Sequence, residues 1–295
     1  RQCYLSTIRF ADGSSMDRYG QRQLPAVEKA RVAVARPART TDGRPNLAGD
    51  WAAEQRVMSD PRGQLGTLVP LSQASKMKPG ELPPGQQAFP GARGSAASLA
   101  SDPIRAAWDR PIPLKLTAAG RSALEKFNPA SRDNPRLRCE PTGILFDWTF
   151  DSVVNRITQS PTRITMQYGH MDLARTIHMD RSAMPKGQAL SRSGYSVGRW
   201  EGDVLVVQTT GFLPGVLNAD ARILHGSKLR ITERFELDPA THKLTRRYEA
   251  VDPEYFEDTW RGADEVQPSD VSYAPYRCRD LGGAPSREAG KQAGR

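Results

Sequence analysis

Few side chains in this sequence combine the types and spacing that acid–base or nucleophilic chemistry requires. The 295 residues include four histidines. His225 lies two residues before Ser227 in ARILHGSKL, which is too close for a serine nucleophile and its base without a special turn. If the protein is an enzyme, the candidate acid–base residues are His225, Glu201, Asp203 and Glu233.

Glu201 and Asp203 also have a simpler explanation than catalysis. With Gly202 they join two strand-like segments, YSVGRW and DVLVVQTTGF. Acids in such a turn usually bind nearby backbone amides, and we expect this turn chemistry here. The sequence contains no nucleophile elbow, phosphate loop, dinucleotide fingerprint or His-Glu-x-x-His pattern, so no cofactor is expected.

A metal site is not expected either. His170 and His178 are eight residues apart, which corresponds to about 26 Å along a continuous strand. With Asp172 or Asp180 they would gather around a metal only if the chain bends near Gly169. The three cysteines lack the close spacing of a zinc site. We therefore expect these histidines to be ordinary surface residues.

Five aromatic side chains are large enough to build a core or to line a pocket for a hydrophobic ligand. They are Trp51, Trp148, Tyr195, Trp200 and Trp260. Core positions are the ordinary expectation, and a ligand pocket is the alternative. In NLAGDWAAEQ, Gly49 precedes Trp51 as in the first strand of lipocalin-type barrels, where the tryptophan closes one end of the barrel.

The elements that must position these residues are predicted to be mainly β-strands. In LRITERFEL, apolar residues alternate with polar ones, as antiparallel strands with one buried face require. Further strands are predicted in VVNRITQS, TRITMQYGHM, ARTIHMD, YSVGRW, DVLVVQTTGF and KLTRRYEAVD. Short strands with tight turns predict an antiparallel up-and-down barrel of the lipocalin type, or a sandwich. The hairpin Gly194–Phe212 is the clearest of these elements.

Outside the strands, the sequence predicts one clear helix and three irregular segments. The helix is LTAAGRSALEKF, with Thr117 as its N-cap, and a second short helix is plausible around Ala26–Val34. The predicted organisation is an extended arm at 1–45, a β-rich domain at 46–281 with a Pro- and Gly-rich insertion at 59–113, and a tail at 282–295.

The net charge of the chain limits the classes of partner that are expected. Lys and Arg number 42 against 33 Asp and Glu, a formal net charge of +9. Such an excess favours an acidic protein face or anionic lipid headgroups. The basic residues form no run of five and accompany no nucleic-acid-reading motif, so nucleic acid is not an expected partner. No run of 18 apolar residues exists for a membrane-spanning helix.

Cys139 and Cys278 flank the segment with the best β pattern. A disulfide between them is the favoured interpretation, and two buried thiols in a reducing compartment are the alternative. Cys3 would then be free or paired with another chain. A disulfide would favour an oxidising location, in the periplasm or outside the cell.

Several segments resemble, in chain order, a family of exported bacterial proteins of uncharacterised function. The segments are NLAGDW, LTAAGRSALEKF, CEPTG, RTIHMDR, GYSVGRWEGDVLVVQTTGF, LHGSKLRITERFEL and YRCRD. The longest resembles the family's Gly-His-Ser-x-Gly-Arg-Trp-Glu-Gly-Asp motif, and YRCRD resembles its closing Tyr-x-Cys-Glu-Glu. The resemblance covers about residues 46–281 and implies export and β-architecture, but no reaction.

The chain also departs from the family pattern. The family carries histidines after Met-Asp-Gly-Arg, in Gly-His-Ser and in Pro-His-Ser. Here MDRSAMPKG has no histidine, Tyr195 stands at the second position, and His225 alone remains. A catalytic site built on all three histidines would lack two of its members.

Three functions follow as expectations. The first is a non-catalytic, exported accessory or scaffold subunit of a bacterial envelope or membrane-associated complex, which contacts other protein chains through extended arms and a basic surface. The second is an exported hydrolase or lyase that acts on a small organic or lipid-derived substrate. The third is a barrel-type carrier of an apolar ligand.

Overall fold

The structure is a computed structural model. It describes residues 38–54, 114–128, 131–150, 153–218, 223–276 and 278, and the backbone of five short strands outside these ranges. The chain divides into two units, Arg1–Ala33 with Glu54–Asp109 and Val34–Ala53 with Arg110–Arg295. No helix of the described residues has the length and apolar character needed to cross a membrane.

The regular elements are mainly strands. In chain order they are β1 (Thr7–Arg9), β2 (Ser15–Asp17), β3 (Arg22–Gln23), β4 (Gly49–Ala53), β5 (Arg56–Met58), β6 (Leu68–Pro70), α1 (Ala118–Lys126), β7 (Val154–Gln159), β8 (Arg163–Gln167), β9 (Ala174–His178), β10 (Tyr195–Glu201), β11 (Val204–Thr210), β12 (Gly215–Asn218), β13 (Ile223–His225), β14 (Arg230–Leu237), β15 (Leu244–Val251) and β16 (Trp260–Pro268).

The first unit contains short antiparallel pairings. Strands β1, β2 and β3 form one small sheet, and β5 pairs with β6. The first three lie in the predicted arm (1–45), and β6 lies in the predicted insertion (59–113), so both segments contain strands that their composition did not indicate. The proposed helix at Ala26–Val34 and the predicted tail at 282–295 lie outside the described residues.

Nine strands of the second unit close into a barrel, which confirms the predicted fold class. Their order around the barrel is β10-β11-β14-β15-β16-β4-β7-β8-β9. Eight neighbouring pairs are antiparallel, but β9 and β10 are parallel, so the expectation of a purely antiparallel barrel was wrong at this one pair. Residues 179–194, the crossover segment, return along the outside of the barrel, and β10 therefore runs in the same direction as β9.

Alternation along the strands separates an inner from an outer face. Leu205 on β11 pairs with Phe235 on β14, and Phe235 pairs with Arg246 on β15; all three face inwards and are buried. The next residues along each strand face outwards. The β10–β11 and β14–β15 turns lie at one end of these strands, the turn end. Residues 211–229 and 252–259 connect strands at the opposite end, the loop end.

The predicted hairpin and helix are both confirmed. Strands β10 and β11 pair over their full lengths and are joined by Gly202–Asp203, with Gly202 at φ 60°, a left-handed conformation that suits glycine. The side chain of Thr117 accepts a hydrogen bond from the Gly120 amide, as expected of an N-cap. The sequence patterns did not predict β12, β13 or β16.

The predicted disulfide is present. Cys139 and Cys278 are bonded across 139 positions of sequence, and their Cα atoms are 5.6 Å apart. The bond ties the segment before the barrel strand β7 to the segment after the last barrel strand. It thereby holds residues 140–150 near the barrel that they enter.

Candidate functional site

Glu233, one of the candidate catalytic residues, lies inside the barrel and is completely buried. Arg175 approaches it from β9, where Nη1 donates to Oε2 at 2.5 Å and Nη2 donates to Oε1 at 3.0 Å. Arg246 approaches from β15, with Nη1 3.3 Å from Oε1. The Glu233 carboxylate is thus the shared counter-ion of two buried guanidinium groups, a structural arrangement and not an acid or base open to substrate.

Arg246 connects Glu233 to a second carboxylate and to the backbone. Its Nε donates to Oδ1 of Asp264 at 3.0 Å, and its Nη1 and Nη2 donate to the carbonyls of Ile144 and Leu145 at 2.8 and 2.9 Å. Burial lowers the pKa of Arg246, but Asp264 and Glu233 outweigh this effect and hold that pKa above its ordinary value. The interior charge cluster comprises Arg175, Glu233, Arg246 and Asp264, two charges of each sign.

The carbonyls that Arg246 binds belong to a segment inserted into the barrel, residues 144–150, which we call the plug segment. Its Trp148 is buried and packs edge-on against Tyr168 and Phe235, with ring centroids 5.3 and 6.4 Å away. Asn155 on β7 donates to the Trp148 carbonyl at 2.6 Å. The centre of the barrel is therefore occupied by side chains of the protein itself.

Glu201 and Asp203 lie at the turn end and are paired with arginines, not with the local amides that the sequence suggested. Glu201 binds Arg199 at 2.5 Å and Arg234 at 2.9 Å, and Asp203 binds Arg39 at 2.6 Å. The hydrogen bond from Arg234 lowers the pKa of Glu201, and the one from Arg39 lowers the pKa of Asp203. Both carboxylates are thereby kept ionised on the exposed surface.

The four candidate catalytic residues do not form one site. His225 ends β13 at the loop end, whereas Glu201 and Asp203 flank the turn at the other end of β11. Strand β11 spans seven residues, which separates its ends by about 20 Å. Glu233 lies on β14 between the turn end and the loop end, but its side chain faces the interior, where Arg175 and Arg246 bind it.

His225 has a more specific environment than the sequence indicated. It is buried, its Nδ1 lies 2.9 Å from the Gly226 carbonyl, and its ring contacts Phe212 edge-on at 5.9 Å. Burial lowers the pKa of His225, which favours the neutral ring. In that state Nδ1 donates its proton to the carbonyl, so Nε2 carries a lone pair.

Nε2 of His225 lies close to Gly215 and to the guanidinium group of Arg192. A Cβ atom built on Gly215 would lie 3.6 Å from Nε2 of His225 and 3.8 Å from Nη1 of Arg192. Nη2 of Arg192 donates to Glu140 at 2.6 Å. An acceptor, a donor and the Leu213 carbonyl therefore lie near the same glycine.

A buried His–Asp pair lies elsewhere and was missed by sequence reasoning; the expectation that His170 is a surface residue was wrong. Nδ1 of His170 is 2.7 Å from Oδ1 of Asp147, and both side chains are almost fully buried. The Gly143 amide donates to Oδ2 of Asp147, and the rings of Phe150 and Tyr276 pack on His170 at 4.4 and 5.2 Å. The pair holds the plug segment to the β8–β9 loop, and its 1% exposure leaves no path for a substrate.

The other residues considered above as metal ligands lie in different surroundings. His178 stacks on Tyr195 on the outer face, with ring centroids 4.5 Å apart. Asp172 accepts hydrogen bonds from the Tyr276 amide and the Tyr273 hydroxyl. In the described part of the chain, no three His, Cys, Asp or Glu side chains are grouped as a metal site would need.

The aromatic residues proposed as pocket walls are dispersed. Trp51 and Trp148 are buried, and Nε1 of Trp51 donates to the Leu47 carbonyl at 2.9 Å. Trp200 and Trp260 are half-buried, and Trp260 packs on Tyr248. The half-buried Tyr195 packs on His178. Core and surface packing account for their positions.

Two clefts lie on the outer face, between the crossover segment and strands β10, β11 and β14. The first has a volume of about 640 Å³ and is lined by residues that include Met184, Leu190, Lys228 and Arg230. The second has a volume of about 530 Å³ and contacts Arg181 and Val197. Gln208 lines both clefts, so they are adjacent, and we refer to the two together as the groove; none of the five proposed aromatic residues lines either cleft.

Comparison of the chain with protein-family models, curated proteins and solved structures finds no match. The resemblance to the exported bacterial family therefore remains a prediction. Of the residues that carry it, Tyr195 stacks on the outer face of the barrel and His225 lies buried at the loop end.

Proposed function

We propose that this protein is a non-catalytic, exported accessory or scaffold subunit of a bacterial envelope or membrane-associated complex. It contacts acidic surfaces of other protein chains through basic side chains on its exterior and through the segments outside the barrel. The observation that carries the proposal is the occupied barrel centre, where the plug segment and the interior charge cluster fill the space that a barrel enzyme or carrier would use.

Export is supported by the disulfide. Bonds of this kind persist in oxidising compartments and are rare where thiols are kept reduced. The bond between Cys139 and Cys278 joins segments on either side of most of the barrel sequence. We infer a periplasmic or extracellular location.

A partner-binding role is supported by the exterior. The chain has a formal net charge of +9, whereas the interior charge cluster is neutral, so the excess resides elsewhere. Among the described residues, Arg181, Lys228 and Arg230 are exposed and form no ion pair. Unpaired exterior cations raise the rate and specificity of association with an acidic protein.

The experiment is to isolate the protein in its native assembly. A C-terminally tagged chain is expressed in the encoding bacterium, and envelope fractions are separated by size. We expect elution well above the 32.5 kDa of the chain, with defined partner chains and with residues 1–45 and 59–113 protected from protease. A partner-free, monodisperse monomer whose residues 1–45 and 59–113 already resist protease would refute the proposal.

One observation favours an enzyme as the second candidate, a hydrolase or lyase that acts on a small organic or lipid-derived substrate. It is the convergence of Nε2 of His225 and Nη1 of Arg192 beside Gly215. Here His225 would be the base and Arg192 would orient an acid group of the substrate. If His225→Gln leaves turnover of an identified substrate unchanged, this candidate fails; Gly215→Ala, which adds a methyl group beside both atoms, should reduce turnover as well.

A further inference from the structure

The groove on the outer face differs from its surroundings in its charge balance. Lys228 and Arg230 line the first cleft and are exposed, and no described acidic side chain pairs with either. The other outward basic side chains of β14, β15 and β16 are paired: Arg234 with Glu201, Arg247 with Glu236, and Arg261 with Glu249. Two adjacent cations without partners at a concave surface attract an anion.

The floor of the groove adds neutral hydrogen-bonding groups. Gln208 and Thr232 are paired across β11 and β14 and face outwards, and Thr210 follows on the same face. Their side chains form no hydrogen bond with any described residue, whereas inward-facing Thr209 is bonded to Ser196 at 2.8 Å. Hydroxyl and amide groups left unbonded inside a cleft can donate to oxygen atoms of a ligand.

The walls of the groove are apolar. Met184 and Leu190 of the crossover segment line the first cleft together with Pro253. Leu190 is 41% exposed, so its apolar surface is open to a ligand in the cleft. The second cleft is lined by an acidic residue, Asp180, so the anionic group is expected in the first cleft.

We propose that this groove is a binding site for an amphipathic organic anion. Lys228 and Arg230 bind the acid group, the floor side chains donate hydrogen bonds to it, and the apolar body packs against Met184 and Leu190. The cleft volume of about 640 Å³ lies within the range of small-molecule sites. A carboxylate, a sulfonate and a phosphate monoester share this chemistry, and the site lies outside the barrel, independent of any protein partner.

The test uses two fluorescent probes that share an aromatic body. Anilinonaphthalenesulfonate carries an anionic group, and phenylnaphthylamine lacks it. The full chain should bind the sulfonate at one saturable site, with weaker binding as ionic strength rises. The double variant Lys228→Gln/Arg230→Gln should weaken sulfonate binding about tenfold or more and leave binding of the neutral probe unchanged.

A paired cation on the same face provides the matched control. Arg261→Gln removes the same charge type from β16, where Glu249 is its partner, and should leave both probes unaffected. An equal loss of sulfonate binding in Arg261→Gln would show a general charge effect and would overturn the proposal. So would the absence of saturable binding, or an unchanged affinity in the double variant.

A filling variant tests the location. Thr232→Trp places a large ring on the floor of the first cleft and should abolish binding of the sulfonate. Thr245→Trp makes the same change on the outer face of β15, away from the groove, and should leave binding intact. Retained binding in Thr232→Trp, with circular dichroism that shows a folded barrel, would place the probe elsewhere and refute the site.

Discussion

The interior charge cluster and the outer groove use the same kinds of side chain in opposite ways. Inside the barrel, Arg175 and Arg246 are matched by Glu233 and Asp264, and no net charge remains. In the groove, Lys228 and Arg230 have no acidic partner among the described residues.

The difference follows from the cost of burying charge. A buried guanidinium group loses its water and requires a carboxylate close by, so its role is confined to holding the structure together. An exposed cation is solvated and needs no internal partner, so it is available to an external anion. The paired interior charges therefore serve the architecture, whereas the unpaired cations of the groove are available to the anion that we propose.

The prediction with the largest expected effect tests whether the packing inside the barrel depends on the disulfide. In a Cys3→Ser background, Cys139→Ser with Cys278→Ser should lower the free energy of unfolding by about 5 kcal/mol, because the broken loop is long. Urea denaturation measures the change. The matched control is the Cys3→Ser chain with the bond intact. A loss below about 1 kcal/mol would mean that the charge cluster holds the plug segment without the disulfide.

The second prediction concerns the carboxylate that both arginines of the cluster share. Glu233→Gln should destabilise the protein by about 3–5 kcal/mol, because it leaves the buried Arg175 without its carboxylate and removes one of the two carboxylates that bind Arg246. Glu236→Gln, three residues along β14, removes an exposed carboxylate that pairs with Arg247 and serves as the control. Similar urea midpoints for the two variants would contradict the distinction between paired interior and open exterior.

The third prediction concerns a buried group that has no charged partner in contact. Burial holds the pKa of His225 below its ordinary value of 6.5, so the unfolded chain takes up the proton first as the pH falls. The stabilisation is therefore complete above about pH 6.5 and is lost as the pH falls towards the folded-state pKa.

Unfolding at a series of pH values measures this effect. The loss of stability below the ordinary pKa should be shallower in His225→Gln than in the unchanged chain. His242→Gln alters an exposed turn histidine and should retain the original slope. Equal slopes in all three proteins would show that His225 is not held neutral by burial.

The prediction with the smallest expected effect concerns the cations of the groove. Lys228→Gln/Arg230→Gln should leave the urea midpoint of the ligand-free protein unchanged, since neither side chain has an internal partner to lose. The same variant should lose the stabilisation that a bound anionic probe gives to the unchanged chain. A marked destabilisation without probe would mean that these cations serve the fold and not a ligand.

Local patterns determined much of the fold in advance. Alternation with a period of two identified the hairpin Gly194–Phe212 and most barrel strands, because each residue's face depends on its immediate neighbours. Thr117 marked the start of α1, and the flanking cysteines indicated the disulfide. Strand β16 was not predicted because its inward positions include Gly262 and Asp264, which break the apolar pattern.

The tertiary structure decided the roles of the individual charged residues. Alternation alone places Glu233 on the inward face of β14, but its partners Arg175 and Arg246 lie 58 and 13 positions away in sequence. The His170–Asp147 pair likewise joins residues 23 positions apart. Such pairings depend on the order of the strands around the barrel and on the parallel pairing of β9 with β10.

The sequence by itself therefore predicted most barrel strands, the helix α1 and the basic character of the chain, and it favoured the disulfide. Closure of the barrel decided which charges became buried counter-ions and which stayed open in the groove. The physical reason is that secondary structure follows short-range periodicity, whereas the pairing of a charge depends on side chains that only the folded barrel brings together.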